Sequence, residues 1–87
     1  PMAAPFERTA IVTGAARRVG RALAEGLLER GWTVLAHVRS DADVGPAGAV
    51  TVAADLERPG AAAAIFDAAA GLPPVGLLIN NAARFAW

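Results

Sequence analysis

The sequence predicts an α/β fold, a doubly wound parallel sheet with strand order 3-2-1-4, and three observations carry that prediction. Short apolar runs of strand length alternate with segments of helical period. The runs are nearly continuous in apolar residues, as expected where both faces of a parallel sheet are covered. The first run passes through Thr13-Gly14 straight into a helix, which is how a βαβ unit opens. The resulting pattern, β-α-β-(short)-β-α-β, is one half of a doubly wound sheet.

Residues 1–8 read as a loose leader. The first strand covers residues 9–12, a buried apolar run that ends at the turn over residues 13–17. The first helix spans residues 18–30. Val19, Ala22, Leu23, Gly26 and Leu27 form one apolar stripe along it, spaced i, i+3, i+4, i+7 and i+8. Gly31 is its left-handed stop. The second strand covers residues 32–38. The connection over residues 39–49 contains Gly45, Pro46 and Gly48. It is near the lower limit for a parallel crossover, about a dozen residues, so a turn or a single helical turn is expected there. The third strand covers residues 50–54. Pro59 is well placed at a helix start, and an alanine-rich helix follows over residues 60–70 with Ile65 and Phe66 as its large anchors. The fourth strand covers residues 75–79, and Asn80-Asn81-Ala82 leaves its C-terminal end.

Composition excludes several classes of function. The 87 residues suffice for one small domain, which buries only about 60–65% of its unfolded surface. A hydrophobic content of 55% with zero formal net charge is globular. It offers no basic excess for nucleic acid or an anionic membrane. There is no cysteine and His37 is the one histidine, so neither a thiol nucleophile nor a metal site is expected. No apolar run approaches the roughly 20 residues of a membrane helix, and residues 1–8 lack the features of a signal peptide. A cytoplasmic protein is the default. Lysine and tyrosine are absent, and Ser40 is the one serine.

The strand-turn-helix passage gathers unpaired N–H groups at the positive end of a helix, a place that binds phosphate. Gly14 and Gly20 permit the turn, though the same two could serve as a plain turn glycine and a helix-packing glycine. Without lysine there is no P-loop. The turn therefore points to a dinucleotide.

Thr13-Gly14-Ala15-Ala16-Arg17-Arg18-Val19-Gly20 resembles the TGxxxGxG turn of short-chain dehydrogenases/reductases. The family's middle glycine is Arg18 here, similar to the TGAAxRxG variant of pteridine reductases. Arg18 either points to solvent or lies along the pyrophosphate as an extra cation beside Val19. The resemblance implies a Rossmann-type sheet of which this chain is the N-terminal half only, truncated after the fourth strand.

It also implies roles for further residues. An NAD site usually has an acidic residue at the end of the second strand. That position is Val38, followed by Arg39 and Ser40, a guanidinium and a hydroxyl that suit a 2′-phosphate. Arg17 matches the basic residue of NADP-preferring members, so NADP(H) is the expected cofactor. Alternatively Arg17 and Arg39 are solvated surface arginines. Asp41 is close enough to pair with Arg39. Asp55 and Leu56 resemble the pair that takes the adenine, unless Asp55 merely caps the next turn. Asn80-Asn81-Ala82-Ala83 looks like the family's NNAG signature with Ala83 replacing glycine, which implies negative φ at Ala83. In that reading Asn80, Asn81 and Ala82 line the ribose side. The two amides can also satisfy backbone groups where neighbouring strands diverge. Phe85 lies where pteridine reductases carry an aromatic residue that stacks on a flat substrate ring, or it is a core phenylalanine. His37 is expected to be structural, and Trp32 and Trp87 to pack.

The implied reaction is hydride transfer to a carbonyl or pterin-like imine substrate. The family's acid/base Tyr and its Lys have no counterpart in this composition, so no catalytic residue is assigned here. The expectation is the cofactor-binding part of a homo-oligomer, a tetramer by resemblance, with the C-terminal remainder of its own fold packed against the fourth strand's open edge. The alternatives are a non-catalytic nucleotide-binding module and an inert fragment.

Overall fold

A computed structural model describes residues 7–82 of the chain. Six elements follow in order: β1 (Thr9–Val12), α1 (Arg18–Glu29), β2 (Thr33–Val38), β3 (Val50–Ala53), α2 (Ala61–Ala69) and β4 (Val75–Ile79). The strands form one sheet in the order β3-β2-β1-β4, and every pairing is parallel. This is the α/β class and strand order that the sequence predicts. The short β2–β3 connection consists of turns without a helix.

The two central strands are largely apolar because helices cover them on both sides. Every residue of β1 is buried, and so is β2 from Val34 to Val38. On one face Val12, Val34 and Ala36 pack with Ala15 and Ala24, with Leu27, Leu28 and Trp32 partly buried beside them. On the other face Ile11 and Leu35 pack with Ile65 and Ala69 of α2. The strand period of two sends neighbours to opposite helices.

Two packing expectations are corrected. The sheet-facing stripe of α1 runs through Gly20, Ala24, Leu27 and Leu28, not through Val19, Ala22 and Leu23. Val19 is 64% exposed and Leu23 38%. Small residues at Gly20 and Ala24 let the helix lie close to the strand ends, so the bulkier side chains one step around the helix turn away from the sheet. Likewise α2 is anchored by Ile65 and Ala69, whereas Phe66 is exposed. Burying a side chain such as Ile65 contributes about 1.5–3 kcal/mol relative to leaving it in water.

Arg8 lies immediately before β1 and bonds to the first residue of β2. The Arg8 carbonyl accepts from the Thr33 N–H at 3.1 Å. Its side chain lies against Gly76, where the β1–β4 register slips between Thr9 and Ala10. Among the described residues no helix is long and apolar enough to cross a membrane.

All strands run the same way, so their C-terminal ends gather at one rim. There the chain leaving β1 is stitched to both neighbours. Thr13 N–H donates to the Ile79 carbonyl at 3.0 Å, and Ala15 N–H donates to the His37 carbonyl at 2.8 Å.

Candidate functional site

The rim opens into a cleft of about 410 Å³. Gly14 and Ala82 line it beside β1, His37 and Arg39 form its β2 side, and residues 54–57 close it beyond β3. It lies where the strand order reverses, the place where open α/β sheets bind ligands.

Gly14 has φ +66°, a conformation open to glycine at little cost. Gly20 is required for a different reason. A Cβ there would collide with the Gly14 carbonyl and the Asn81 amide nitrogen. The helix start can thus press directly onto the turn. Arg17 is the N-cap, with extended backbone and no side-chain cap. The first N–H groups of α1 consequently have no intrahelical acceptor, the condition for holding an anion.

Arg18 stands at φ +57°, the one positive-φ residue other than glycine among those described. It therefore occupies with an exposed side chain a backbone state that ordinarily belongs to glycine. Val19 follows it, also exposed.

The asparagine segment holds the turn. Asn81 Nδ2 donates to the Gly14 carbonyl at 3.1 Å. The Thr13 hydroxyl accepts from the Ala82 N–H at 2.9 Å and lies 3.1 Å from Asn80 Oδ1, to which it donates. Ala82 itself lines the cleft. Asn81 thus satisfies a backbone carbonyl between the diverging strands, whereas Asn80 meets the Thr13 side chain.

On the β2 side Val38 is buried, and Arg39 emerges exposed on the cleft wall. Ser40 and Asp43 make a reciprocal turn: Ser40 N–H donates to Asp43 Oδ2 at 3.2 Å, and Asp43 N–H donates to the Ser40 carbonyl at 3.0 Å, while Ala42 N–H donates to the Ser40 hydroxyl at 3.3 Å. The carboxylate that reaches an arginine here is Asp43 rather than Asp41, and its partner is Arg17 at 3.7 Å rather than Arg39. Arg17 is 79% exposed, so that pair contributes little to stability. Asp55 lines the cleft while Oδ1 accepts the Glu57 N–H at 3.0 Å and Oδ2 lies 3.7 Å from Arg58. The turn-capping role is thus present, and Leu56 stays 42% exposed on the same wall. Ala83, Phe85 and Trp87 lie outside the described residues.

Two residues acquire connections that the sequence reading did not assign. His37 contacts both the Gly14 N–H and the Ala54 carbonyl. Arg21 Nη1 donates to the Ala16 carbonyl at 3.1 Å and to the Val44 carbonyl at 3.0 Å, joining the turn to the β2–β3 loop. Neither link is visible in spacing alone, because each joins segments brought together only by the sheet.

The short chain dehydrogenase family model matches residues 8–86. The chain is a member of the short-chain dehydrogenase family. Pteridine reductase 1 of Leishmania tarentolae is 40% identical over 84 aligned residues, an alignment covering 84% of this chain and 28% of the relative. The solved structure of the TT0495 protein from Thermus thermophilus is similar at 33% identity and a TM-score of 0.75, covering 93% of this chain and 34% of that one. This family member thus spans about a third of the length of the relatives it matches.

Proposed function

We propose that this chain forms the cofactor end of an NADP(H)-dependent oxidoreductase. The reaction is hydride transfer to a carbonyl or pterin-like imine. The carrying observation is the end of β2: a buried Val38 where an acidic ribose ligand would stand, then Arg39 exposed on the cleft wall. A guanidinium pairs bidentately with a phosphate and far less strongly with an unphosphorylated 2′-hydroxyl. Arg17 adds a second cation once the anion competes for it with Asp43, and the Ser40 hydroxyl lies beside them. The cradle that a Cβ at Gly20 would fill, and the uncapped start of α1, fit a pyrophosphate. Leu56 supplies an apolar wall for adenine, with the Asp55 carboxylate next to it.

Bound NADPH supplies the hydride; this chain's residues bind and orient the nucleotide. With neither Tyr nor Lys in its composition, proton transfer belongs to residues outside this sequence, in a longer protein that assembles as a homo-oligomer. The pterin-like substrate is supported by the name of the reductase to which the chain is similar.

The test is a titration of both cofactors. NADPH is expected to bind at least about tenfold more tightly than NADH, and Arg39→Asp to narrow the gap. Equal affinities in the wild type would refute the preference.

A further inference from the structure

We propose that His37 is the positioning residue of the phosphate turn: it straps the Gly14 amide inside the protein and so sets which backbone groups of the turn can face an anion. This rests on the nucleotide-binding reading and adds to it a residue outside the glycine motif. His37 is 2% exposed. Gly14 N–H donates to Nδ1 at 3.0 Å, and Nε2 lies 2.7 Å from the Ala54 carbonyl. An N–H needs a lone pair and a carbonyl needs a proton, so the two contacts together select the neutral tautomer with its proton on Nε2. One ring thus spans from the turn after β1 to the residue after β3. Ala54 N–H in turn donates to the Val38 carbonyl at 3.0 Å, which anchors the far end.

The same residue engages the turn twice. Its ring takes the Gly14 amide and its carbonyl takes the Ala15 amide. Both amides are therefore committed inside the protein. The first N–H groups of α1, which lack an intrahelical acceptor and a side-chain cap, remain to face an anion. His37 thereby decides which backbone groups present themselves, although it touches no phosphate. An apolar residue in its place would leave a buried donor and a buried acceptor unpaired.

Two substitutions separate the ends of the strap. His37→Asn keeps an acceptor near the Nδ1 position and loses the reach to Ala54. His37→Gln keeps a donor near the Nε2 position and loses the acceptor for Gly14. In the intact protein, His37→Asn is expected to hold the NADPH dissociation constant within about threefold of wild type, and His37→Gln to raise it about tenfold or more. Both variants should lower the melting temperature by similar amounts, so stability alone cannot produce the split. In the unliganded variants, the Gly14 amide should exchange slowly in His37→Asn and rapidly in His37→Gln. Equal cofactor binding by the two variants, or an unchanged Gly14 amide in His37→Gln, would overturn the assignment. A wild type that binds neither NADPH nor NADH would overturn the nucleotide reading on which this role rests. The Gly14 exchange pattern, read without cofactor, would still differ between the variants and so tell the two failures apart.

Discussion

At the scale of single residues, Arg18 states the cost of this turn most directly. A side chain held at positive φ costs of order 1–3 kcal/mol, and Arg18 has φ +57°. The strain persists because Gly14, Gly20 and Asn81 fix the backbone around it. Two substitutions measure this by urea denaturation. Arg18→Gly relieves the steric cost but frees the unfolded chain, so it should be neutral to stabilising by up to about 1 kcal/mol. Arg18→Val places a β-branched residue at the same φ and should destabilise by about 1–2 kcal/mol relative to Arg. The departure from glycine was legible in the sequence. The backbone state was not, because φ at one position follows from the closure of the whole turn.

Among the elements, the joint between β1 and β4 is the one on which the site depends. The Thr13 hydroxyl receives the Ala82 N–H and donates to Asn80 at the point where the two strands part. Thr13→Val keeps the shape and removes both bonds, leaving the Ala82 donor without its partner. We expect a loss of about 1–3 kcal/mol in unfolding free energy, read by thermal or urea unfolding. Strand and helix bounds were readable to within about a residue or two, the usual disagreement at element ends, because Gly14, Gly31 and the 71–74 turn punctuate the chain. The face of α1 was misread: a hydrophobicity pattern weights Val19 and Leu23 above Gly20 and Ala24, whereas close packing selects for the smallest side chains. Asp41 reads as the partner of Arg39, whereas Asp43, turned by its contacts with Ser40, reaches Arg17, a pairing that spacing does not announce. His37 was legible as a structural residue, but its two partners belong to segments 23 and 17 residues away.

For the whole molecule, the two edges of the sheet are unequal. On β4, Leu78 pairs with the fully buried Ile11 yet is itself 55% exposed, and Val75 is 45% exposed. An uncovered strand edge with apolar side chains promotes association. The 87-residue chain should therefore self-associate as its concentration rises. Leu78→Lys should suppress light scattering at a given concentration without lowering the melting temperature appreciably, since that side chain is already largely in water. An increase in scattering would contradict this account. The strand order was predictable at this scale because parallel strands with right-handed connections admit few arrangements. The uneven cover follows from the helices: α1 packs on β1 and β2 and α2 on β2 and β3, which leaves β4 with less cover than β3.

The distance between the two halves of the turn lock has a temporal meaning. Gly14 and Asn81, which close on one another, are separated by 67 positions. As a ribosome delivers the chain, β1 and β2 can pair early around α1, while the glycine turn stays unlatched on its β4 side. The turn is latched on its second side only when β4 has docked. Cofactor capture by the nascent chain would then report that the sheet has closed, and a chain stalled before Asn81 would carry the motif without its latch.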